Sequence, residues 1–145
     1  MNIRTFITVT AFALLSVSTA SQTAFAADAH AEAPHESITP AFAEAIANAP
    51  GKTMTALVVD YAPGGKSMPH RHGQAFVVGY VLSGAIRSQV NGGEVHVYHA
   101  GEHWTEQPGA HHTMSENASG NEPAKLLAIF VADTNDKSLV TFDKK

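Results

Sequence analysis

From Lys52 onward the chain is cut into short apolar runs by turn-forming residues, and that spacing constrains its fold more than any other feature. Pro63-Gly64-Gly65, Gly84, Asn91-Gly92-Gly93 and Pro108-Gly109 separate segments that carry no helical pattern of useful length, whereas short strands fit well. Strands are predicted at Thr53 to Ala62, Phe76 to Leu82, Ala85 to Val90, Glu94 to Tyr98, Glu102 to Glu106, His111 to Ser115 and Ala124 to Val131. Phe76 to Leu82 is apolar on both faces, as in a strand enclosed by a sandwich or barrel. Asn91-Gly92-Gly93 is a strong hairpin signal because Asn and Gly tolerate positive φ. With no internal repeat and no dividing linker, residues 52–145 read as one all-β sandwich or small barrel.

The residues before Lys52 follow different rules. Arg4, the uncharged run Phe6 to Ala20 and the small-x-small site Ala24-Phe25-Ala26 have the order of a secretory signal. The run is shorter than the ~20 residues a spanning helix needs, so residues 1–26 are expected to be cleaved after Ala26, leaving a periplasmic or secreted protein with no membrane contact. About 119 residues then remain, with 8 basic against 13 acidic side chains and no cysteine. That size suits one domain, and the acidic balance argues against nucleic acid. Without cysteine there is no disulfide, thiolate zinc site or iron-sulfur cluster. Residues 27–38 read as a flexible leader, with His30 and His35 solvated. Residues 39–51 read as a short helix and turn: Thr39 as cap, Pro40 in the first helical position, Ala41 to Ala49 favouring helix and Pro50-Gly51 ending it.

Seven of the nine histidines fall between His70 and His112. His70-Arg71-His72 is the strongest pair, since alternate side chains of an extended segment share a face and can close on one metal. His111-His112 follows the Pro108-Gly109 turn, and strand parity lets only one of these two reach a common site. His96, His99 and His103 have no ligand partner at a known spacing and read as surface or structural histidines, and Arg71 is expected to point away from the site.

These residues resemble the two motifs of the cupin family, small jelly-roll barrels that hold a metal in the barrel mouth. The first motif, G-(x)5-H-x-H-(x)3,4-E-(x)6-G, is matched in spacing by Gly64, His70, His72, Val77 and Gly84. The second, G-(x)5-P-x-G-(x)2-H-(x)3-N, is matched by Gly101, Gln107 in place of proline, Gly109, His112 and Glu116 in place of asparagine. The resemblance spans roughly Lys52 to Val131 and implies a jelly-roll barrel with His70, His72 and His112 as neutral nitrogen ligands, His112 being favoured over His111 by the motif spacing. The family's carboxylate ligand is replaced by Val77. Glu106, an acid in an apolar strand register, is the candidate to supply a carboxylate instead; the competing reading is a solvent-facing edge residue. Tyr80, Arg87, Gln89, Trp104 and Met114 are candidates for lining a pocket.

The implied cofactor is one divalent transition metal, Fe, Mn, Zn, Ni or Cu. Two uses of such a site are open: a metal-dependent, dioxygenase-like enzyme acting on a small oxygenated organic compound, or a non-catalytic module that captures a small molecule or a metal. A metal-free barrel with vestigial histidines is a third. By resemblance, a homodimer is expected, with Phe42 and Ile46 on one face of the short helix as an apolar contact.

Overall fold

A computed structural model describes residues 35–136 and 138–144; the expected signal segment and most of the leader lie outside them. Among the described residues eleven strands form two antiparallel sheets, and there is no helix. The first sheet has the order β1-β2-β10-β5-β8, built from β1 (Glu36–Ala45), β2 (Lys52–Tyr61), β5 (Phe76–Ser83), β8 (His103–Glu106) and β10 (Ala124–Asp133). The second has the order β11-β4-β9-β6-β7 with β3 also paired to β9, from β3 (Lys66–Ser67), β4 (His70–Arg71), β6 (Ala85–Val90), β7 (His96–His99), β9 (His111–Asn117) and β11 (Thr141–Phe142).

The longer strands bury alternate residues, as a sheet with one face on a core requires. On β5, Val77, Gly79 and Val81 are buried while Tyr80 and Leu82 are exposed. The strand is therefore covered on one face only, where its uniformly apolar sequence predicts cover on both. On β10 the inward series is Ala124, Leu126, Phe130 and Ala132. Val59, Tyr61, Val81, Ile86, Trp104, Ala124 and Leu126 make one core cluster, and Ala75, Val77, Phe130 and Ala132 a second. The β6–β7 hairpin turns where the sequence places it, with φ of 55° at Asn91 and 66° at Gly92.

The segment 39–51 is not a helix. Residues 36–45 form an edge strand paired with β2 from Glu36↔Tyr61 to Ala45↔Thr53, and only the turn after Ile46 matches expectation. The last leader residues, Glu36 to Ile38, belong to this strand. Alanine favours helix by only tenths of a kcal/mol per residue, and a long tertiary ladder overrides that preference. Pro40 is tolerated because β1 is at an edge and the register slips between Pro40 and Phe42. Phe42 therefore lies exposed on a strand, with Ile38 also exposed, and makes no helical face with Ile46.

Candidate metal centre

The three histidines are brought together by strand register. β4 pairs with β9 so that His70 faces His112 and Arg71 faces His111, and His72 follows two residues after His70 on the same inward side. His70, His72 and His112 are all buried, and one ring nitrogen from each lies within 4.8 Å of the others. Parity sends the alternate residues outward, as expected. Arg71 is exposed and donates to the Gly109 carbonyl (3.3 Å), and His111 pairs through Nε2 with Asp143 (2.8 Å).

Each inward ring is held at one nitrogen. His70 Nδ1 is 2.7 Å from the Met68 carbonyl and His72 Nδ1 is 2.7 Å from the Leu139 carbonyl. Because a carbonyl only accepts, both rings carry their proton on Nδ1 and leave Nε2 as a lone pair. His112 Nε2 is 2.8 Å from Ser88 Oγ, while its Nδ1 faces Glu106. Burial pushes all three rings below the ordinary histidine range, His112 to about 3, where the neighbouring His70 and His72 rings act in the same direction. The triad is therefore neutral near pH 7.

Glu106 stands directly across the β5–β8 ladder from Val77, and both are buried. The carboxylate absent from position 77 thus enters the same inner face from the neighbouring strand. Oε1 accepts the Trp104 Nε1–H (3.1 Å) and lies 3.2 Å from His112 Nδ1; Oε2 lies 3.7 Å from His72 Nε2 and has no hydrogen-bond partner. Burial lifts this carboxyl above the usual range, opposed by the Trp104 hydrogen bond and by His70. The indole can lie there because Gly79 is its cross-strand partner, where an added Cβ would sit 2.5 Å from the ring.

These groups line a cavity of about 50 Å³ that touches both core clusters, with apolar walls from Leu57, Val59, Leu126 and Phe130. Of the five pocket candidates only Trp104 lines it. Tyr80 is on the exposed face of β5, Arg87 is engaged by Glu116, Gln89 bonds the Gly93 carbonyl and Thr113, and Met114 falls outside the lining. Sequence reasoning missed Glu36, Tyr61, Ser67 and Ser115, which also face the cavity, and the C-terminal residues Val140 and Phe142 that close it. Tyr61, the last residue of an alternating strand, carried a parity signal; the others meet the site only through pairing distant in sequence.

The profile of the cupin domain family matches residues 57–130, about half of the chain. The chain is a cupin. Among solved structures this cupin is similar to the cupin domain of Schizosaccharomyces pombe Cnp3, with a TM-score of 0.57 and 18% identity over 69% of this chain and 66% of that one. It is similar to KdgF from Halomonas sp. with a TM-score of 0.56 and 18% identity over 72% and 86% of the two chains. Oxalate oxidase in complex with the substrate analogue glycolate gives 0.55 and 24% over 75% of this chain and 55% of that one. At such identities the likeness is one of fold, and this cupin spans about half of the oxalate oxidase chain and just under two thirds of the Cnp3 domain. No curated protein sequence matches it.

Proposed function

We propose that this cupin is an exported protein that holds one divalent transition metal on His70, His72, His112 and Glu106 and uses it in dioxygenase-like chemistry on a small oxygenated organic compound. One observation carries the proposal: three buried neutral imidazoles converge beside a buried carboxylate whose Oε2 has no hydrogen-bond partner. A buried carboxylate oxygen without a hydrogen-bond partner is costly, and a cation would satisfy it. The donor set suits Fe, Mn, Zn, Ni or Cu. When bound, such an ion supplies Lewis-acid or redox chemistry at its open positions. The Met68 and Leu139 carbonyls and Ser88 Oγ hold the rings in their tautomers. Trp104 steadies Glu106, and the apolar walls keep bulk water out. The oxalate oxidase neighbour, bound to glycolate, is consistent with a small oxygenated ligand. The segment 1–26 supports export, and the exposed edge of β1 supports pairing with a second copy.

Elemental analysis of the mature protein, purified without an affinity tag, tests the metal. The expected result is about one ion per chain, lost in the His70→Ala/His72→Ala variant. No stoichiometric metal after reconstitution overturns it. Dioxygen uptake in the presence of small hydroxylated organic compounds then tests the reaction class, and no uptake above that of the His70→Ala/His72→Ala variant overturns it. The small volume of the cavity, about 50 Å³, favours a second reading: a non-catalytic module that captures a metal or a small molecule. A retained ligand with no product formed would select it. A precursor mass reduced to the chain starting at Ala27 checks export, and a dimer mass in light scattering checks pairing.

A further inference from the structure

The wall that Glu36, Ser67, Tyr61 and Ser115 contribute to the cavity has a hydrogen-bond direction fixed by its chemistry. Tyr61, buried on the first sheet, reaches Ser67 Oγ at 2.7 Å and Ser115 Oγ at 2.8 Å on the second, and Ser67 Oγ bonds Glu36 Oε2. An ionised carboxylate only accepts, so Ser67 gives its one hydroxyl proton to Glu36. Tyr61 must then donate to Ser67, and Ser115 must donate to Tyr61. All three hydroxyl protons are committed to the chain, so what it presents to the cavity is lone pairs alone, on Ser115 Oγ and Tyr61 Oη. Apart from Trp104 and the His70, His72, His112 and Glu106 side chains of the metal centre, the remaining walls are apolar, with Ile38, Leu57, Val59, Leu126, Ala128 and Phe130 among them.

We propose that this wall is a hydrogen-bond-accepting subsite that selects a small, largely apolar molecule carrying a hydroxyl or other donor, and rejects one that offers only a carbonyl or carboxylate oxygen. A donor group completes the chain at Ser115. An acceptor-only oxygen there meets lone pairs, with the Glu36 charge behind them, and gives up its water for nothing. The subsite shares the cavity with the metal centre proposed above but rests on the hydroxyl chain alone.

The test compares 2-propanol with acetone, which have the same heavy-atom count and differ in having a donor. Binding is followed by NMR shifts of the Leu57, Val59 and Leu126 methyl groups, in protein as purified and after chelation. In the wild type the alcohol is expected to bind roughly five- to tenfold more tightly than the ketone. In Glu36→Gln the amide can donate to Ser67, the chain loses its fixed direction, and the preference falls toward parity; Tyr61→Phe, which cuts the chain, does the same. Glu36 is only partly buried at the start of an edge strand, so the first variant preserves the fold, which amide-shift dispersion verifies. Equal binding in the wild type, binding of neither probe, or an unchanged preference in Glu36→Gln overturns the proposal. A purely structural chain would lower the melting temperature of both variants and leave the preference as it was. The comparison needs no bound ion, so a chain without metal would defeat the previous reading and leave this one to stand or fall separately.

Discussion

His70, His72 and His112 lie on the inside of the barrel, and His96, His99 and His103 lie on the outside, although all six come from one stretch of sequence. The outer group sits on β7 and at the start of β8, where His96 approaches Glu94 at 3.8 Å and His99 approaches Glu102 at 3.3 Å through solvent-exposed side chains. The inner group is buried, fixed at one nitrogen by a backbone carbonyl or a serine, and pushed to its neutral form. What separates them is place in the sheets: the His70↔His112 pair points both rings at one volume, whereas His96, His99 and His103 lie on β7 and β8, edge strands that leave their side chains exposed. A count of histidines therefore does not mark a site, whereas convergence with committed second nitrogens does.

The pH dependence of the metal-free protein breaks this comparison most strongly. Each inner histidine has a folded pKa below its unfolded value of 6.5, so the unfolded chain binds more protons and stability falls as pH drops below about 6.5. For His112 the loss continues toward pH 3, and the three together can reach several kcal/mol. Glu106 acts oppositely: its raised pKa means that stability is lost as pH rises from the unfolded carboxylate range through its folded value. Three rings outweigh one carboxyl between pH 7.5 and 5, a window above most carboxylate titrations. Urea midpoints of chelated protein should drop across that window, and much less in His72→Gln/His112→Gln. A flat profile would show that the inner rings are hydrated like the outer ones.

Glu106→Gln sharpens what the inner group is for. The variant keeps the volume and removes the charge, so zinc affinity should fall by at least about 10- to 100-fold, the loss seen when a partner that only supports a ligand is removed. The metal-free variant should be more stable than wild type near neutral pH, because a buried carboxyl with a bare oxygen is replaced by a neutral amide. Competition with a chromogenic chelator and thermal melting read the two effects. Equal zinc affinity would return Glu106 to the status of a buried structural acid.

Much of this was legible in the sequence because turns and parity are local. The hairpin at Asn91-Gly92, the strands on either side of it, and the separation of His112 from His111 and of His72 from Arg71 all follow from residue type and a period of two. β1 was not legible: its alanines carry a helical preference, and the competing ladder with β2 depends on residues on the far side of a turn. Glu36, Ser67 and Tyr61 share a chain only after three strands have assembled, and Leu139 holds His72 across a separation of 67 residues. Gly79 lies between these cases, since its position was visible but its purpose, room for the Trp104 indole, was not. Gly79→Ala should cost roughly 1–3 kcal/mol by overpacking and weaken zinc binding by moving the Trp104 donor from Glu106, in contrast to Gly92→Asn in the exposed turn. A normal melting temperature in Gly79→Ala would mean that the indole has another place to go.

The smallest effect expected is also the control on the whole comparison. His96→Ala/His99→Ala removes two rings from the exposed hairpin, where the contacts to Glu94 and Glu102 are screened surface pairs. Such pairs contribute about 0–1 kcal/mol and many contribute nothing measurable, so stability should change by no more than about 0.5 kcal/mol. Metal content should stay at the wild-type value, since neither ring reaches the cavity. The measurement is elemental analysis and a urea midpoint beside those of His70→Ala/His72→Ala. Were the hairpin variant to lose its ion, binding would lie in a surface cluster around β7, and the buried triad would have to be explained as packing alone. The buried Oε2 of Glu106 argues against that outcome, because packing gives no reason to place a carboxylate opposite Val77 with one oxygen left without a hydrogen bond.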